Sequence, residues 1–241
     1  MPTRAASGAR PRRLLALALG ALAACAPSRE TVSAVAAHHP EALFSVAVTD
    51  SLVAFTFDDG PDPARTPELL DVLAAHGARA TFFLVGERAQ RHPDVVARIV
   101  REDHEIGTHG WRLAPPLLIG AATTGAELDR TAAVLERWGP VRWYRPGTGL
   151  YTTAIREAAE ARGYRLALGS VYPNDPYVWS ARRQARHVLR EVRPGDVVIL
   201  HDALGWRTRA ADVMRRVLPE LERRGYRAVT LSDLAAAGAD D

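Results

Sequence analysis

The 241-residue sequence predicts an α/β protein on a parallel sheet, with the number of alternations favouring a barrel over an open sheet. Three observations carry this reading. Short apolar runs alternate with amphipathic helical stretches from Leu52 onward. A content of 47% hydrophobic and 24% charged residues suits one sizeable core. An Asp-Asp pair directly follows the first strong apolar run, where parallel α/β folds place their sites.

The leader precedes any element. Arg4, Arg10, Arg12 and Arg13 stand without an acid before an apolar run, Leu14 to Ala24, too short to span a bilayer as a helix. Residues 1–24 therefore read as a signal peptide. The run ends in Leu22-Ala23-Ala24-Cys25, and Cys25 is the single cysteine, so no disulfide forms within the chain. This ending resembles a bacterial lipobox, which implies lipidation of Cys25 and an exported protein lipid-anchored to the cell envelope. Residues 25–50, small and polar around His38-His39-Pro40, read as a tether and a first strand near Phe44 to Val48, with the catalytic domain, 51–241, starting at Ser51.

Within that domain each element has its own signal. Leu52 to Phe57 is a short apolar strand, Pro67 to His76 an amphipathic helix closed by Gly77, and Ala80 to Val85 a second strand. Asp94 to Glu102 is a helix opened by a proline, followed by a strand that ends at His109. Thr124-Gly125-Ala126-Glu127 has capping-box spacing and predicts a helix to about Arg137. Trp143 to Arg145, Arg165 to Leu168, Val197 to His201 and Arg227 to Thr230 read as strands. Between them lie helices near Thr152 to Arg162, Ala181 to Glu191 and Ala210 to Arg224.

Charge excludes some chemistry. Every cation is arginine or histidine, so lysine Schiff-base and lysine general-base mechanisms are ruled out. Without residues 1–24 the formal net charge falls from +3 to about −1, and we read no basic run in the remainder, hence no nucleic-acid footprint.

The chemistry centres on Thr56-Phe57-Asp58-Asp59-Gly60-Pro61. Two adjacent half-buried carboxylates repel each other, so a cation must share their site if both are ionised. With Ala80-Thr81-Phe82-Phe83-Leu84-Val85-Gly86 and His104-Glu105-Ile106-Gly107-Thr108-His109 following in order, the chain resembles the polysaccharide deacetylases, the NodB-homology or carbohydrate esterase 4 family. That resemblance implies a distorted (β/α) barrel and a metal-dependent amidohydrolase that deacetylates an N-acetylated glycan.

By the resemblance Asp58 is the general base, and Asp59 and His109 are ligands of a divalent metal, zinc. The family places another histidine four residues after His109, and here that residue is Leu113. Metal binding is thus expected to be weak or absent unless another donor replaces it. His104 reads as structural. In Arg145-Pro146-Gly147-Thr148-Gly149 the resemblance makes Arg145 the partner of Asp58 and the Thr148 N–H the oxyanion donor. Asp175 falls on the acid that tunes the catalytic histidine, and Trp179 offers a sugar-stacking wall. Val197-Val198-Ile199-Leu200-His201-Asp202 supplies His201 as general acid and Leu200 as lining of the acetyl pocket. The expected partners are an N-acetylated glycan and, through the N-terminal lipid, a membrane, with the protein a monomer. The alternatives are a silent glycan-binding or scaffold lipoprotein on the same fold, or an amidohydrolase acting on a small non-polymeric amide.

Overall fold

Every strand of the main sheet runs in the same direction, because a helix or a long loop returns the chain to the same edge after each one. The computed structural model describes residues 27–203, 205 and 208–239. Residues 1–24, expected to be a signal peptide, and Cys25 lie outside the described residues. In chain order the first half comprises α1 (Arg29–Ala37), β1 (Ala42–Leu43), β2 (Leu52–Asp58), α2 (Arg65–Ala75), β3 (Thr81–Leu84), α3 (Gly86–Arg91), α4 (Pro93–Arg101) and β4 (Glu105–Thr108). The second comprises α5 (Pro116–Leu135), β5 (Trp143–Tyr144), α6 (Thr153–Glu160), β6 (Arg165–Ala167), α7 (Ala181–Glu191), β7 (Val197–His201), α8 (Ala210–Arg223), β8 (Arg227–Val229) and α9 (Leu231–Ala237).

The strand order is β1-β6-β5-β4-β3-β2-β7; β7 pairs with Ala54–Asp58 of β2, and β8 pairs with Leu52–Ala54. An antiparallel bridge between Ser45 and Asp196, with the Val46 N–H donating to the Gly195 carbonyl at 2.9 Å, brings the β1 edge round to β7. The sheet thus curls into the expected distorted barrel.

Alternation along the strands sorts the core into an inner and an outer layer. On β2, Val53, Phe55 and Phe57 face the helices and join Leu69, Leu73, Val213 and Val217. Leu52 and Ala54 face inward with Phe83, Trp143 and Val197, and Leu231 and Leu234 of α9 cover them from below. The inward row of β2 continues through Thr56 to Asp58, so the same alternation that buries Ala54 delivers a carboxylate at the strand's upper end.

Several expectations change. Residues 25–50 are not simply a tether: Ser28 caps α1, Val32, Val35 and Ala36 pack on a second cluster, and Ala42 and Phe44 are buried in it. The first strand is Ala42–Leu43, earlier than Phe44 to Val48, because its ladder partner is Leu166–Ala167 on β6. Thr124 is not a capping residue. Its hydroxyl donates back to the Gly120 carbonyl at 2.8 Å inside α5, which already runs from Pro116 through a kink at Gly120 (φ 75°). Helices α3 and α9, too short to show a periodic stripe, escape the sequence reading.

Candidate active site

Asp58 ends β2 and pairs in register with His201, which ends β7, so the two side chains stand side by side on the inner face. Adjacent strands are ~4.8 Å apart. Each of the two is held by its own partner of opposite charge.

Arg145 holds Asp58. Its Nη1 donates to Asp58 Oδ1 at 2.6 Å and to Thr56 Oγ1 at 2.7 Å. Its Nε and Nη2 donate to the carbonyls of Ala167 and Leu168, at 3.1 and 2.9 Å. The guanidinium lies 4.0 Å over the Phe83 ring and is 2% exposed, so it is fixed on every side. This is the cation that two adjacent carboxylates require.

Asp175 holds His201. The Asp175 carboxylate takes the His201 backbone N–H at 2.8 Å on Oδ2, and Oδ1 lies 2.9 Å from the ring Nδ1. Burial pulls the imidazolium down, but Asp175 at hydrogen-bond distance, with Asp58 and Asp59 beyond, more than reverses this and raises it to about 10. The ring is therefore protonated at neutral pH, with Nδ1–H committed to Asp175 and Nε2–H left to face the site. Tyr172 closes one flank, its ring centroid 6.2 Å from that of His201.

Asp59 leaves the strand in the left-handed region, at φ 73°, uncommon for a non-glycine residue. That turn swings its carboxylate toward His109, whose Nε2 lies 3.4 Å from Oδ1. Burial would raise Asp59's carboxyl, but His109, His201 and Arg88 outweigh it and hold it below the usual range. Arg88, on α3, clamps the turn from beneath by donating to the Asp59 and Ala203 carbonyls at 2.9 and 3.0 Å.

The donors do not fit a firmly held catalytic zinc. Such a site takes three protein ligands, and among the described residues no group of three His, Cys, Asp or Glu side chains is arranged to hold a metal ion. A ligating histidine normally donates its other nitrogen to a neighbour, whereas His109 Nδ1 is buried without a partner among the described residues. Leu113 is 50% exposed on a loop, and Arg112 beside it points to Glu127 at 2.7 Å. His104 is no substitute: it precedes β4 at the opposite end of the barrel, accepts the Ala80 N–H on Nδ1 at 3.2 Å, and burial lowers it to about 4.

The remaining residues divide. Thr148 is exposed between Gly147 and Gly149 at φ 65°, three residues beyond Arg145. Trp179 is 56% exposed on the loop that carries Asp175. Leu200 does not line a pocket. It is wholly buried in the helix-facing core with Val198, and strand alternation makes Ile199 the residue that shares His201's face.

Sequence reasoning also missed Thr56, Arg88 and Asp202. Asp202 is fully buried beneath Gly60 and takes the Thr66 hydroxyl, and burial pushes its carboxyl up to about 7. The sequence sets it beside His201, but its place just under the Asp-Asp-Gly turn was available only from the fold.

A family profile described as polysaccharide deacetylase matches residues 45–167. The chain is 34% identical over 200 residues to a peptidoglycan-N-acetylglucosamine deacetylase of Bacillus cereus, covering 79% of this chain and 91% of that one. It is 31% identical over 192 residues to a chitooligosaccharide deacetylase of Sinorhizobium fredii, covering 72% and 87%. Among solved structures, the Bc1960 peptidoglycan N-acetylglucosamine deacetylase superposes with a TM-score of 0.75 at 31% identity, over 80% of this chain and 92% of that one.

Proposed function

Since the chain belongs to the polysaccharide deacetylase family of hydrolases, we propose that it removes acetyl groups from the acetamido substituents of an N-acetylated glycan of peptidoglycan or chitooligosaccharide type. The observation that carries the proposal is the pair of separately held proton-transfer groups, Arg145–Asp58 and Asp175–His201, side by side on one face.

In this reading Asp58, oriented by Arg145, takes a proton from water, and the water oxygen attacks the acetamide carbonyl carbon. The Thr148 N–H donates to the oxyanion that forms. His201, protonated at neutral pH, passes its proton to the departing amine as the C–N bond breaks, leaving acetate and a free amino sugar. Trp179 bounds the sugar beside the loop of Asp175. No step is assigned to a metal, because Asp59 and His109 alone do not make a resident site.

Acetate release from N-acetylated chitooligosaccharide and from peptidoglycan tests the proposal. Asp58→Asn and His201→Gln are each expected to lower kcat by about 10²–10⁴-fold with the fold intact; unchanged release in either variant overturns it.

One observation favours a second reading, a glycan-binding protein without turnover: the donor set that ends at Leu113. Purified protein is expected to hold zinc well below one equivalent, and Leu113→His to raise it toward one, measured by elemental analysis. No gain in zinc overturns the reading of position 113. Binding of the glycan without acetate release in the wild type, with release in Leu113→His, selects the second reading.

The same proposal places the protein outside the cytoplasm as a monomer, held to the envelope through Cys25. Incorporation of labelled fatty acid that is lost in Cys25→Ser tests the anchor. Among the described residues no helix is long and apolar enough to cross a membrane.

A further inference from the structure

The outer helices α7 and α8 carry an uneven charge. From Arg182 to Arg193 the sequence holds five arginines and one acid, which corrects the reading that the chain has no basic run. Arg182, Arg186 and Arg190 recur every four residues of α7 and so form one stripe, with steps of roughly 6 Å. Arg216 of α8, and Arg224 just beyond its end, face them across a groove of about 480 Å³. Ala185 and Leu189 make its floor.

Ion pairing accounts for only two of these five cations. Arg190 Nε meets Glu191 at 2.7 Å and Arg224 Nε meets Glu220 at 2.8 Å. The other acids of the two helices are engaged elsewhere, Asp212 with Arg215 at 3.1 Å and Glu222 with His76 at 2.9 Å. Arg182, Arg186 and Arg216 are exposed and have no carboxylate partner among the described residues. Unpaired guanidiniums around one groove repel one another and gain nothing from folding, whereas an anion laid between them would be held by several forks at once.

We infer that this groove binds an extended, phosphate-bearing polymer. Guanidinium forks match phosphate oxygens two at a time. A groove between two helices accepts a single strand better than a flat layer of headgroups. Charges on consecutive repeat units of a phosphodiester chain can meet the whole stripe; one carboxylate per disaccharide spaces them too widely. Among the described residues no aromatic side chain lines the groove, so bases find no stacking platform there and nucleic acid is disfavoured. The stripe begins at Arg182, three residues after Trp179, so a polymer lying in it leads to the rim of the site. The inference does not depend on hydrolysis.

Titration of long-chain linear polyphosphate into the full chain tests it. Saturable binding that weakens as salt rises is expected, with the triple variant Arg182→Gln, Arg186→Gln, Arg216→Gln weaker by about tenfold or more. A control triple variant of ion-paired arginines elsewhere, Arg79→Gln, Arg91→Gln and Arg227→Gln, is expected to bind like the wild type. Release of acetate from short soluble chitooligosaccharide should be equal in all three. Should the groove variant lose its fold, Arg186→Gln alone still has to weaken binding. Equal losses in both triple variants overturn the inference in favour of diffuse charge. Tighter binding to a single-stranded oligonucleotide of equal charge overturns it in favour of nucleic acid. Capture by phosphatidylglycerol vesicles without any polyphosphate binding overturns it in favour of a lipid surface.

Discussion

Arg145 donates four hydrogen bonds, each to a different oxygen and only one of them charged, so its loss strands more than an ion pair. Arg145→Met leaves the Asp58 carboxyl buried without its counter-ion. It is expected to cost about 3–5 kcal/mol, read by urea denaturation, and to abolish turnover. Across the site, Asp175→Asn removes the main charge that raises His201. The alkaline limb of the pH–kcat profile should move to lower pH by about 1–3 units, and an unmoved limb would separate His201 from the acid role. His104 titrates in the opposite sense. Its folded-state value near 4 lies below its unfolded 6.5, so the unfolded chain binds the extra proton and stability is lost as pH falls from 6.5 to 4. That loss amounts to ~3 kcal/mol; His104→Phe should flatten this part of the denaturation profile. The residues proposed for proton transfer were legible as a cluster because their types stand at strand ends in a recognisable order. Leu200 was misread because a strand's two faces differ by one residue and only the packing of Phe57 and Val198 tells which is which.

The turn Asp59-Gly60-Pro61 shows how an element can require one residue type. A Cβ on Gly60 would lie 2.6 Å from Asp202 Oδ1, a buried oxygen with no hydrogen-bond partner among the described residues. Gly60→Ala is expected to destabilise by about 1–3 kcal/mol. The double variant Gly60→Ala, Asp202→Ala should lose less than the sum of the singles, which a denaturation cycle would measure. Thr124 carries the opposite lesson. The Thr-x-x-Glu spacing is the same in a cap and in a helix already under way, and only the structure reveals that α5 began at Pro116 and kinked at Gly120, four residues before Thr124. Helix α1 was hard to read for a plainer reason: its apolar stripe is only Val32, Val35 and Ala36, none of them fully buried, in an otherwise small and polar stretch.

At the scale of the whole molecule, the barrel is closed by a contact with little tolerance. Gly195 has φ 83°, and a Cβ there would fall 1.8 Å from the Val46 carbonyl oxygen. Gly195→Ala should therefore open the seam between the β1 edge and β7. The alternation of strands and helices was legible across residues 52–230, but this seam was not, since it joins segments about 150 residues apart through backbone groups. A chain begun at Ser51 is expected to melt at lower temperature, because it loses Ala42, Phe44 and the bond from Arg29 to Asp196. That bond fixes more than stability. Asp196 lies five residues before His201, or ~16 Å down the strand, so Arg29 is moored at the foot of the barrel while the carboxylates open at its crown. An anchor at Cys25, as proposed, would thus grip the chain by its base, and the carboxylates would open toward material that lies away from the point of attachment.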